Sequence, residues 1–279
     1  MILSGKARLA GVIGWPVGHS RSPRLHGFWL EQHRIDGAYV PLPVPPDAFE
    51  QVLRALPRMG FVGANVTLPH KEAALALADQ VEPLALRIGA VNTLVIGPDG
   101  VIHGSNTDAF GFLENLRHGL PGFAIAGRPA VVLGAGGAAR AVIAGLIDEG
   151  VAEIRLLNRT RERAERIASA LPGPIRVIDW QERSGALDGA GLLVNTTTLG
   201  MQGQPPLAIA LDCLPRDAVV TDIVYAPLET ALLAEARRRG HHVVDGLGML
   251  LHQARPGFAA WFGVRPEVTA ALRAFVGET

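Results

Sequence analysis

Cysteine is nearly absent from this chain, since Cys213 is the single one among 279 residues. One cysteine can form neither an intramolecular disulfide nor a thiolate metal cluster. No stretch of about 18 apolar residues runs without a charge, so we expect no membrane span, and the short apolar runs at the start do not resemble a signal peptide. The 26 basic and 26 acidic residues balance, which gives no electrostatic reason to expect a nucleic-acid partner. These absences predict a cytoplasmic protein.

Lysine is also scarce, because only Lys6 and Lys71 stand among the 26 basic residues and all the others are arginine. Arginine stays protonated at any accessible pH, whereas a lysine can shift its pKa and exchange a proton. An internal lysine in so arginine-rich a chain is therefore a candidate for proton transfer. On composition alone, it is equally plausible that Lys71 is a surface residue whose identity has drifted without functional consequence.

Short β-rich runs alternate with amphipathic helical stretches, which is the pattern of α/β proteins with parallel sheets. The pattern predicts strands near residues 9–14, 38–42, 61–67, 91–96 and 101–105, with helices near 23–34, 47–56, 71–78 and 108–118. Residues 119–129 are rich in Gly and Pro and indicate a domain boundary. After them we expect strands near 130–134, 153–158, 175–178, 191–195, 219–223 and 242–244, and final helices near 248–262 and 266–276.

A glycine-rich turn follows the first strand of the second series. The turn reads Gly134-Ala135-Gly136-Gly137-Ala138, with Ala139 in place of the third glycine of a G-x-G-x-x-G pattern. Glycines there let the backbone approach a pyrophosphate, whose charge meets the N–H groups at the start of the next helix. A tight turn can use glycine without any ligand, but the strand before it and the helix after it favour a dinucleotide site.

The end of the next strand bears on which dinucleotide is bound. Folds that bind NAD place an Asp or Glu there, on the ribose 2′-hydroxyl, whereas residues 158–163 read Asn-Arg-Thr-Arg-Glu-Arg, beginning at Asn158. Arg159 and Arg163 would pair with a 2′-phosphate that an acidic residue would repel, so the sequence favours NADP. In the alternative interpretation Thr160 caps a helix and the arginines are only solvated.

Polar residues gather at strand and helix boundaries in the first half of the chain. Ser20 and Ser22 precede a predicted helix; Ser22 suits its N-cap, while two hydroxyls beside a helix N-terminus also suit a small carboxylate. Asn65 and Thr67 stand at i and i+2 of one strand and so share a face. Asp108 can be an ordinary N-cap of the helix that follows it, and without further context this interpretation is preferred.

Segments spread over nearly the whole chain carry a family resemblance. They are His19-Ser20-Arg21-Ser22-Pro23, Asn65-Val66-Thr67-Leu68-Pro69-His70-Lys71, Gly89-Ala90-Val91-Asn92-Thr93, Asn106-Thr107-Asp108, the turn at 134–138, Asn158-Arg159-Thr160, and the segments at 195–201, 222–227 and 246–254. Jointly these motifs are highly specific. The chain resembles the shikimate dehydrogenase family, NADP-dependent enzymes of aromatic biosynthesis.

The resemblance implies a role for each matching position. It implies that Ser20 and Ser22 hold the substrate carboxylate, and that Lys71 and Asp108 form the catalytic pair. Further substrate contacts are implied at Asn65, Thr67, Asn92, Tyr225 and Gln253. Contacts with NADP are implied at Gly134, Ala135, Gly136, Gly137, Ala138, Asn158, Arg159, Thr160, Arg163, Ile223 and Gly246. The implied fold has two domains with a cleft between them: a substrate-binding α/β domain over 1–118, joined by C-terminal helices at 248–279, and a doubly wound Rossmann-type domain over 119–247.

The implied reaction is the reversible reduction of 3-dehydroshikimate to shikimate by NADPH. Lys71 would stabilise and protonate the carbonyl oxygen, and Asp108 would orient its ammonium group. The chain departs from the family at Gly27, where Asn is usual, and at Thr198, where Ser is frequent.

The expected partner is a small-molecule substrate, and the chain is expected to act as a monomer or homodimer. Quinate-using relatives differ by small changes in the same pocket, so a quinate dehydrogenase is an alternative. A non-catalytic NADP-binding sensor is a second alternative, although the catalytic pair is present. No metal is expected, because the nine histidines show no H-E-x-x-H spacing.

Overall fold

Residues 2–278 are described by a computed structural model, in which the chain forms two compact units. The first unit contains the residues up to Thr107 together with those from Leu251 onward, and the second runs from Asp108 to Leu250. Each unit contains one six-stranded sheet with helices packed against it, which confirms the predicted two-domain α/β architecture. Within residues 2–278, no helix combines the length and the apolarity that crossing a bilayer would need.

The sheet of the first unit is mixed. Its strands are β1 (Arg8–Gly14), β2 (Gly37–Pro43), β3 (Phe61–Val66), β4 (Gln80–Val81), β5 (Thr93–Ile96) and β6 (Ile102–Ser105), in the order β2-β1-β3-β5-β6-β4. Strand β1 is parallel to β2 and β3, but β5 is antiparallel to β3 and β6. The expected parallel arrangement does not extend to β5, because residues 97–101 are too few for the crossover that a parallel pair needs.

Four helices accompany this sheet before the chain leaves the first unit. They are α1 (Ser22–Gln32), α2 (Phe49–Ala55), α3 (Lys71–Leu77) and α4 (Pro83–Ile88). Phe49 and Leu53 of α2 pack in one buried cluster with Ile13, Val66 and Leu94 of the sheet. The sequence does not predict β4 or α4, because two and six residues are too short to show a hydrophobic period.

The sheet of the second unit is parallel throughout. After α5 (Asp108–Gly119) come β7 (Pro129–Leu133), α6 (Gly137–Asp148), β8 (Glu153–Leu157), α7 (Arg161–Ala170), β9 (Ile175–Ile178), β10 (Leu192–Asn195), β11 (Val219–Asp222), α8 (Ala231–Arg238) and β12 (His242–Val244). The strand order is β12-β11-β10-β7-β8-β9, which is the doubly wound order of Rossmann folds. The order reverses between β7 and β10, the point at which such folds bind dinucleotides.

The central strands of this sheet are buried on both faces. Val131 and Val132 of β7 are fully buried, and they pack into two different hydrophobic clusters on opposite sides of the sheet. Strands of this kind read as continuous apolar runs, which is why the sequence places them to within one residue of their observed ends.

Helix α5 belongs to the second unit, whereas the sequence analysis placed residues 108–118 in the first. Its Phe112 and Leu116 pack in the same cluster as Val142 and Leu146 of α6. Hydrophobic periodicity shows that a helix has an apolar face but not which sheet that face covers. The last helices are α9 (Leu247–Phe262) and α10 (Ala270–Gly277), and the division between the units falls inside α9.

Candidate active site

The carboxyl ends of β1 and β3 bring two of the predicted substrate segments together. The strands pair side by side, with Ile13 opposite Val66. Beyond them the Thr67 N–H donates to the Ile13 carbonyl at 2.9 Å, and the Trp15 N–H donates to the Leu68 carbonyl at 3.1 Å. The loop that carries the two serines and the loop that leads to Lys71 therefore leave the same edge of the sheet, where α/β folds bind ligands.

The two serines lie at the start of α1. The Ser22 N–H donates to Ser20 Oγ at 3.3 Å, and Ser22 is buried while Ser20 is partly exposed. Ser22 is the first helical residue, and Arg21 at the N-cap makes no side-chain capping bond. The interpretation of Ser22 as an N-cap is therefore wrong, and the N–H groups at this end of the eleven-residue helix have no side-chain cap from Arg21.

A buried hydrogen-bond network lies at the same end of the first unit. Asn92 Oδ1 accepts from Thr93 Oγ1 at 2.9 Å, from the Thr107 N–H at 2.9 Å and from Thr107 Oγ1 at 3.2 Å. Thr107 Oγ1 also lies 3.3 Å from Gln253 Oε1. Asn92 Oδ1 thus faces Thr93 and Thr107, which turns its Nδ2 to the other side.

Asn65 is part of this network and donates both hydrogens of its amide inside the protein. Its Nδ2 donates to the Asn92 carbonyl at 3.2 Å and to Thr93 Oγ1 at 3.1 Å, and its Oδ1 accepts from the Tyr39 hydroxyl at 2.6 Å. Because an amide nitrogen carries only two hydrogens, Asn65 has no further donor to offer a ligand.

Lys71 is the first residue of α3 and is partly exposed. Its carbonyl accepts from the Val91 N–H at 3.0 Å, which ties the start of α3 to the segment before Asn92. The neighbouring His70 is buried, with Nε2 donating to the Val44 carbonyl at 2.7 Å and its ring stacked on Phe49 at 4.5 Å. The backbone beside Lys71 is therefore held in place, and His70 has a structural role.

Asp108 begins α5 in the second unit. It is 9% exposed and lies in the first turn of a twelve-residue helix, where a carboxylate is stabilised by the helix dipole. Asp108 follows Thr107 directly in the chain, so it is one residue away from the buried network.

The glycine turn after β7 forms a cradle at the start of α6. Gly134 has φ of +109°, and a Cβ there would lie 2.6 Å from Thr196 Oγ1. At Gly136 and Gly137 a Cβ would meet nothing within 4 Å, and Gly136 at the N-cap makes no side-chain capping bond. An uncapped helix start beside open space suits a phosphate group, and Ala135 and Ala138 are partly exposed at its sides.

The residues after β8 separate into paired and unpaired arginines. Arg161 binds Glu165 at 2.8 Å and Asp179 at 2.5 Å, whereas Arg159 and Arg163 are exposed and pair with no carboxylate in the part of the chain that the structure describes. Asn158 Nδ2 donates to the Thr160 carbonyl at 2.8 Å, and Thr160 stands at the N-cap of α7 without a side-chain capping bond.

Three buried polar residues fix the loop after β11. Asp222 accepts from the Val224 N–H at 2.9 Å, from Asn195 Nδ2 at 3.0 Å and from Thr230 Oγ1 at 2.8 Å. Burial raises the pKa of this carboxyl, and these three donors oppose the shift. The loop so held carries two predicted positions, Ile223 and Tyr225, both partly exposed.

Gly246 lies against this loop, since a Cβ there would lie 2.4 Å from the carbonyl carbon of Ile223. The sequence alone predicts no separate role for Asn195, Asp222, Thr93 or Tyr39. The available signal was the same for the first three: polar residues at the ends of buried strands.

Among the described residues, no group of three or more His, Cys, Asp or Glu side chains is placed to hold a metal ion.

The fold and these features define the class of the protein: a two-domain α/β protein whose second unit is a dinucleotide-binding domain. The family described as "Shikimate dehydrogenase substrate binding domain" matches residues 12–94, and that described as "Shikimate / quinate 5-dehydrogenase" matches residues 120–199. The chain belongs to the shikimate dehydrogenase family.

Full-length relatives agree with this assignment. The chain is 66% identical over 274 residues to shikimate dehydrogenase (NADP(+)) of Paramagnetospirillum magneticum, covering 98% of this chain and 99% of the relative. It is 62% identical over 279 residues to the protein of the same name in Rhodospirillum rubrum, covering 99% of each. Shikimate 5-dehydrogenase of Thermus thermophilus, solved in complex with NADP(H) and shikimate, is 39% identical with a TM-score of 0.84, covering 97% of each chain.

Proposed function

We propose that the chain catalyses the reversible, NADPH-dependent reduction of 3-dehydroshikimate to shikimate. The observation that carries the proposal is the convergence of two serines, Thr67 and the buried Asn92 network on one edge of the first sheet, beside Lys71. Hydroxyl and amide groups, together with a lysine whose backbone is bonded to the segment before Asn92, suit a small polyhydroxylated acid. The 66% identity to a relative named for this activity supports the same assignment.

Substrate binding is assigned to the serines, amides and hydroxyls that the family resemblance marks. Ser20 and Ser22 at the start of α1 receive the carboxylate. The ring hydroxyls bind Thr67, Asn92, Gln253 and Tyr225. Asn65, whose amide is committed to Thr93, Asn92 and Tyr39, supports this set by holding Asn92.

Lys71 acts on the oxygen at the reacting carbon. Bound NADPH supplies the hydride, and negative charge then develops on the carbonyl oxygen. Lys71 Nζ stabilises that charge and donates a proton to the oxygen as the hydroxyl forms. Asp108 orients the ammonium group of Lys71 and accepts a hydrogen bond from a substrate hydroxyl, so it favours a charged lysine in the correct place.

The cofactor is assigned to the second unit. The backbone of Gly134, Ala135, Gly136, Gly137 and Ala138 would hold the pyrophosphate at the start of α6, and Ile223 and Gly246 would make further contacts with NADP. Arg159 and Arg163 pair with the 2′-phosphate, and Asn158 and Thr160 shape the loop around it. The absence of an acid at position 158, together with two exposed arginines that lack an ion pair among the described residues, supports NADP over NAD.

Absorbance at the nicotinamide band tests the substrate and the cofactor together. The purified chain is mixed with shikimate and NADP, quinate and NADP, shikimate and NAD, and quinate and NAD. Fast reduction with shikimate and NADP alone is the expected result. Preference for quinate would contradict the substrate assignment. No change in absorbance in any of the four mixtures, with NADP still bound, would favour a non-catalytic binding protein. The cytoplasmic location stays a prediction. The oligomeric state, monomer or homodimer, also stays a prediction, and size-exclusion chromatography can test it.

Lys71→Arg tests the proton-transfer role. Arginine keeps the charge but does not release a proton, so turnover should fall by roughly 10²- to 10⁴-fold, the usual contribution of general acid–base catalysis, while NADPH binding persists. Lys6→Arg is the matched control, because Lys6 is the other lysine of the chain and has no assigned role. Wild-type turnover by Lys71→Arg would remove Lys71 from the mechanism.

Arg159→Asp tests the recognition of the 2′-phosphate. The substitution should weaken NADP more than NAD, because only NADP carries the group that the new carboxylate repels. Arg161→Asp is the control, since Arg161 already pairs with Glu165 and Asp179. Equal loss of affinity for both cofactors in Arg159→Asp would show that this arginine does not bind the 2′-phosphate.

A further inference from the structure

A stacked pair of rings lies behind the amides of the first unit. The Tyr39 ring of β2 stacks on the His26 ring of α1, with centroids 3.9 Å apart and planes 9° apart. His26 is 0% exposed, and both of its ring nitrogens are buried without a hydrogen-bond partner. The other rings within 6 Å of His26 are Trp29, Phe258 and Trp261, at 5.7, 5.8 and 5.6 Å. His26 thus supplies a flat apolar surface that fixes the plane of Tyr39.

Both members of the pair are held uncharged. Burial lowers the pKa of His26 to about 3, against a weaker opposing effect of the Asn65 side chain. Burial raises the pKa of Tyr39 well above its usual value, with Ser22 opposing. The Tyr39 oxygen therefore carries its proton at any working pH, and that proton has an acceptor at 2.6 Å, Asn65 Oδ1.

The single proton of Tyr39 sets the direction of the hydrogen bonds beyond it. Since Tyr39 donates to Asn65 Oδ1, Asn65 must turn Nδ2 toward Thr93 Oγ1, 3.1 Å away. Thr93 Oγ1 accepts from Asn65 and donates its own proton to Asn92 Oδ1 at 2.9 Å. If the Asn65 amide flipped, its oxygen would face the Asn92 carbonyl, which can only accept, and would compete with Asn92 Oδ1 for the proton of Thr93.

We propose that Tyr39, stacked on His26, is a positioning residue of the substrate site: it fixes the direction of the donor chain Tyr39 to Asn65 to Thr93 to Asn92, and so the orientation of the Asn92 amide toward a substrate hydroxyl. This inference rests on the proposed function, in which Asn92 binds the substrate. Tyr39 itself touches neither the substrate nor the cofactor in this proposal.

Tyr39→Phe removes the hydroxyl and keeps the ring that stacks on His26. Losing the hydroxyl leaves the buried Asn65 Oδ1 without its donor and weakens the hold on the donor chain, so the KM for shikimate should rise about tenfold, the value of one net hydrogen bond. The KM for NADP should stay unchanged. Trp29→Phe is the matched control, because it removes an indole bond to the Glu267 carbonyl at 3.1 Å from the same aromatic cluster without entering the donor chain, and its KM for shikimate should equal that of the wild type.

A double-mutant cycle separates positioning from general destabilisation. In an Asn65→Leu background the donor chain is already broken, so adding Tyr39→Phe should raise the KM for shikimate no further. If Tyr39→Phe does not fold, Thr93→Val breaks the chain one link later and should raise the same KM.

Three outcomes overturn the proposal: a wild-type KM for shikimate in the single variant, equal rises in both KM values, or additive effects in the cycle. A wild-type protein inactive on shikimate in the same assay would refute the proposed function instead, which keeps the two failures distinct.

Discussion

Acidification below pH 6.5 is expected to destabilise the first unit through His26. Burial among aromatic rings lowers the pKa of this histidine from 6.5 to about 3, so the folded state favours the neutral ring. As the pH falls below 6.5 the unfolded chain binds a proton at this position and the folded chain does not. The contribution of His26 to stability is therefore complete above pH 6.5 and is lost progressively as the pH falls toward 3.

The size of the effect follows from the interval between the two pKa values. Each pH unit in which only the unfolded state holds the proton costs about 1.36 kcal/mol. At pH 5 that interval is roughly 1.5 units below the unfolded value, so the folded state loses about 2 kcal/mol relative to pH 8. Tyr39 does not add to this change, because its pKa is raised, away from the acid range.

Urea unfolding at pH 8 and at pH 5 measures this change. Tryptophan fluorescence follows the transition, because Trp29 and Trp261 contact His26. In His26→Leu the loss of unfolding free energy between the two pH values should be about 2 kcal/mol smaller than in the wild type, whatever the variant's stability at pH 8. His33→Gln, at an exposed histidine just beyond α1, should keep the wild-type difference. An unchanged difference in His26→Leu would refute the reasoning.

Three further substitutions have outcomes that the structure predicts. Gly27→Ala should raise the unfolding free energy by about 0.5–1 kcal/mol in a thermal melt, because Gly27 lies exposed inside α1 with nothing within 4 Å of an added Cβ; a lower melting temperature would contradict this. Gly134→Ala should weaken NADPH binding at least tenfold in a fluorescence titration, since φ of +109° and Thr196 at 2.6 Å both oppose a side chain, and unchanged affinity would contradict it. Asp222→Ala should cost about 1–3 kcal/mol in urea unfolding, because three buried donors lose their acceptor; wild-type stability would show that those donors find other partners.

The predicted strands of both units lie within two residues of their observed bounds, but β4, α4 and the antiparallel pairing of β5 in the first unit were not predicted. Strand β7 is a short apolar run, and its observed bounds, Pro129–Leu133, lie within one residue of the expected ones. Strand β5 was expected to be parallel, yet the link Gly97-Pro98-Asp99-Gly100 contains an Asp-Gly turn signal typical of hairpins. The turn residues therefore indicate an antiparallel β5, but the alternation of strands and helices along the chain favoured a parallel one.

Some residues of the candidate site could also be predicted from the sequence, and others could not. Lys71 could be singled out because it is rare in this chain and stands in a specific motif. Tyr39 and His26 could not, because their stack joins α1 to β2 across the packed interior, and no local pattern encodes such a contact. The wrong N-cap at Ser22 has a related cause: hydroxyls before a helix suit capping and ligand binding equally, and only the observed bonds separate the two.

Both units hold their binding loops with amides at the ends of buried strands. Asn65 at the end of β3 donates to the Asn92 carbonyl and to Thr93 Oγ1. Asn195 at the end of β10 donates to Asp222 and to the Leu199 carbonyl. An amide that donates both of its hydrogens inside the protein removes alternative orientations from the groups that it holds. Because a hydride must reach its acceptor carbon in a narrow geometry, such restraint raises the fraction of bound complexes that can react. We therefore expect substitutions at these amides to change KM and the fidelity of substrate choice, while Lys71 alone controls the proton.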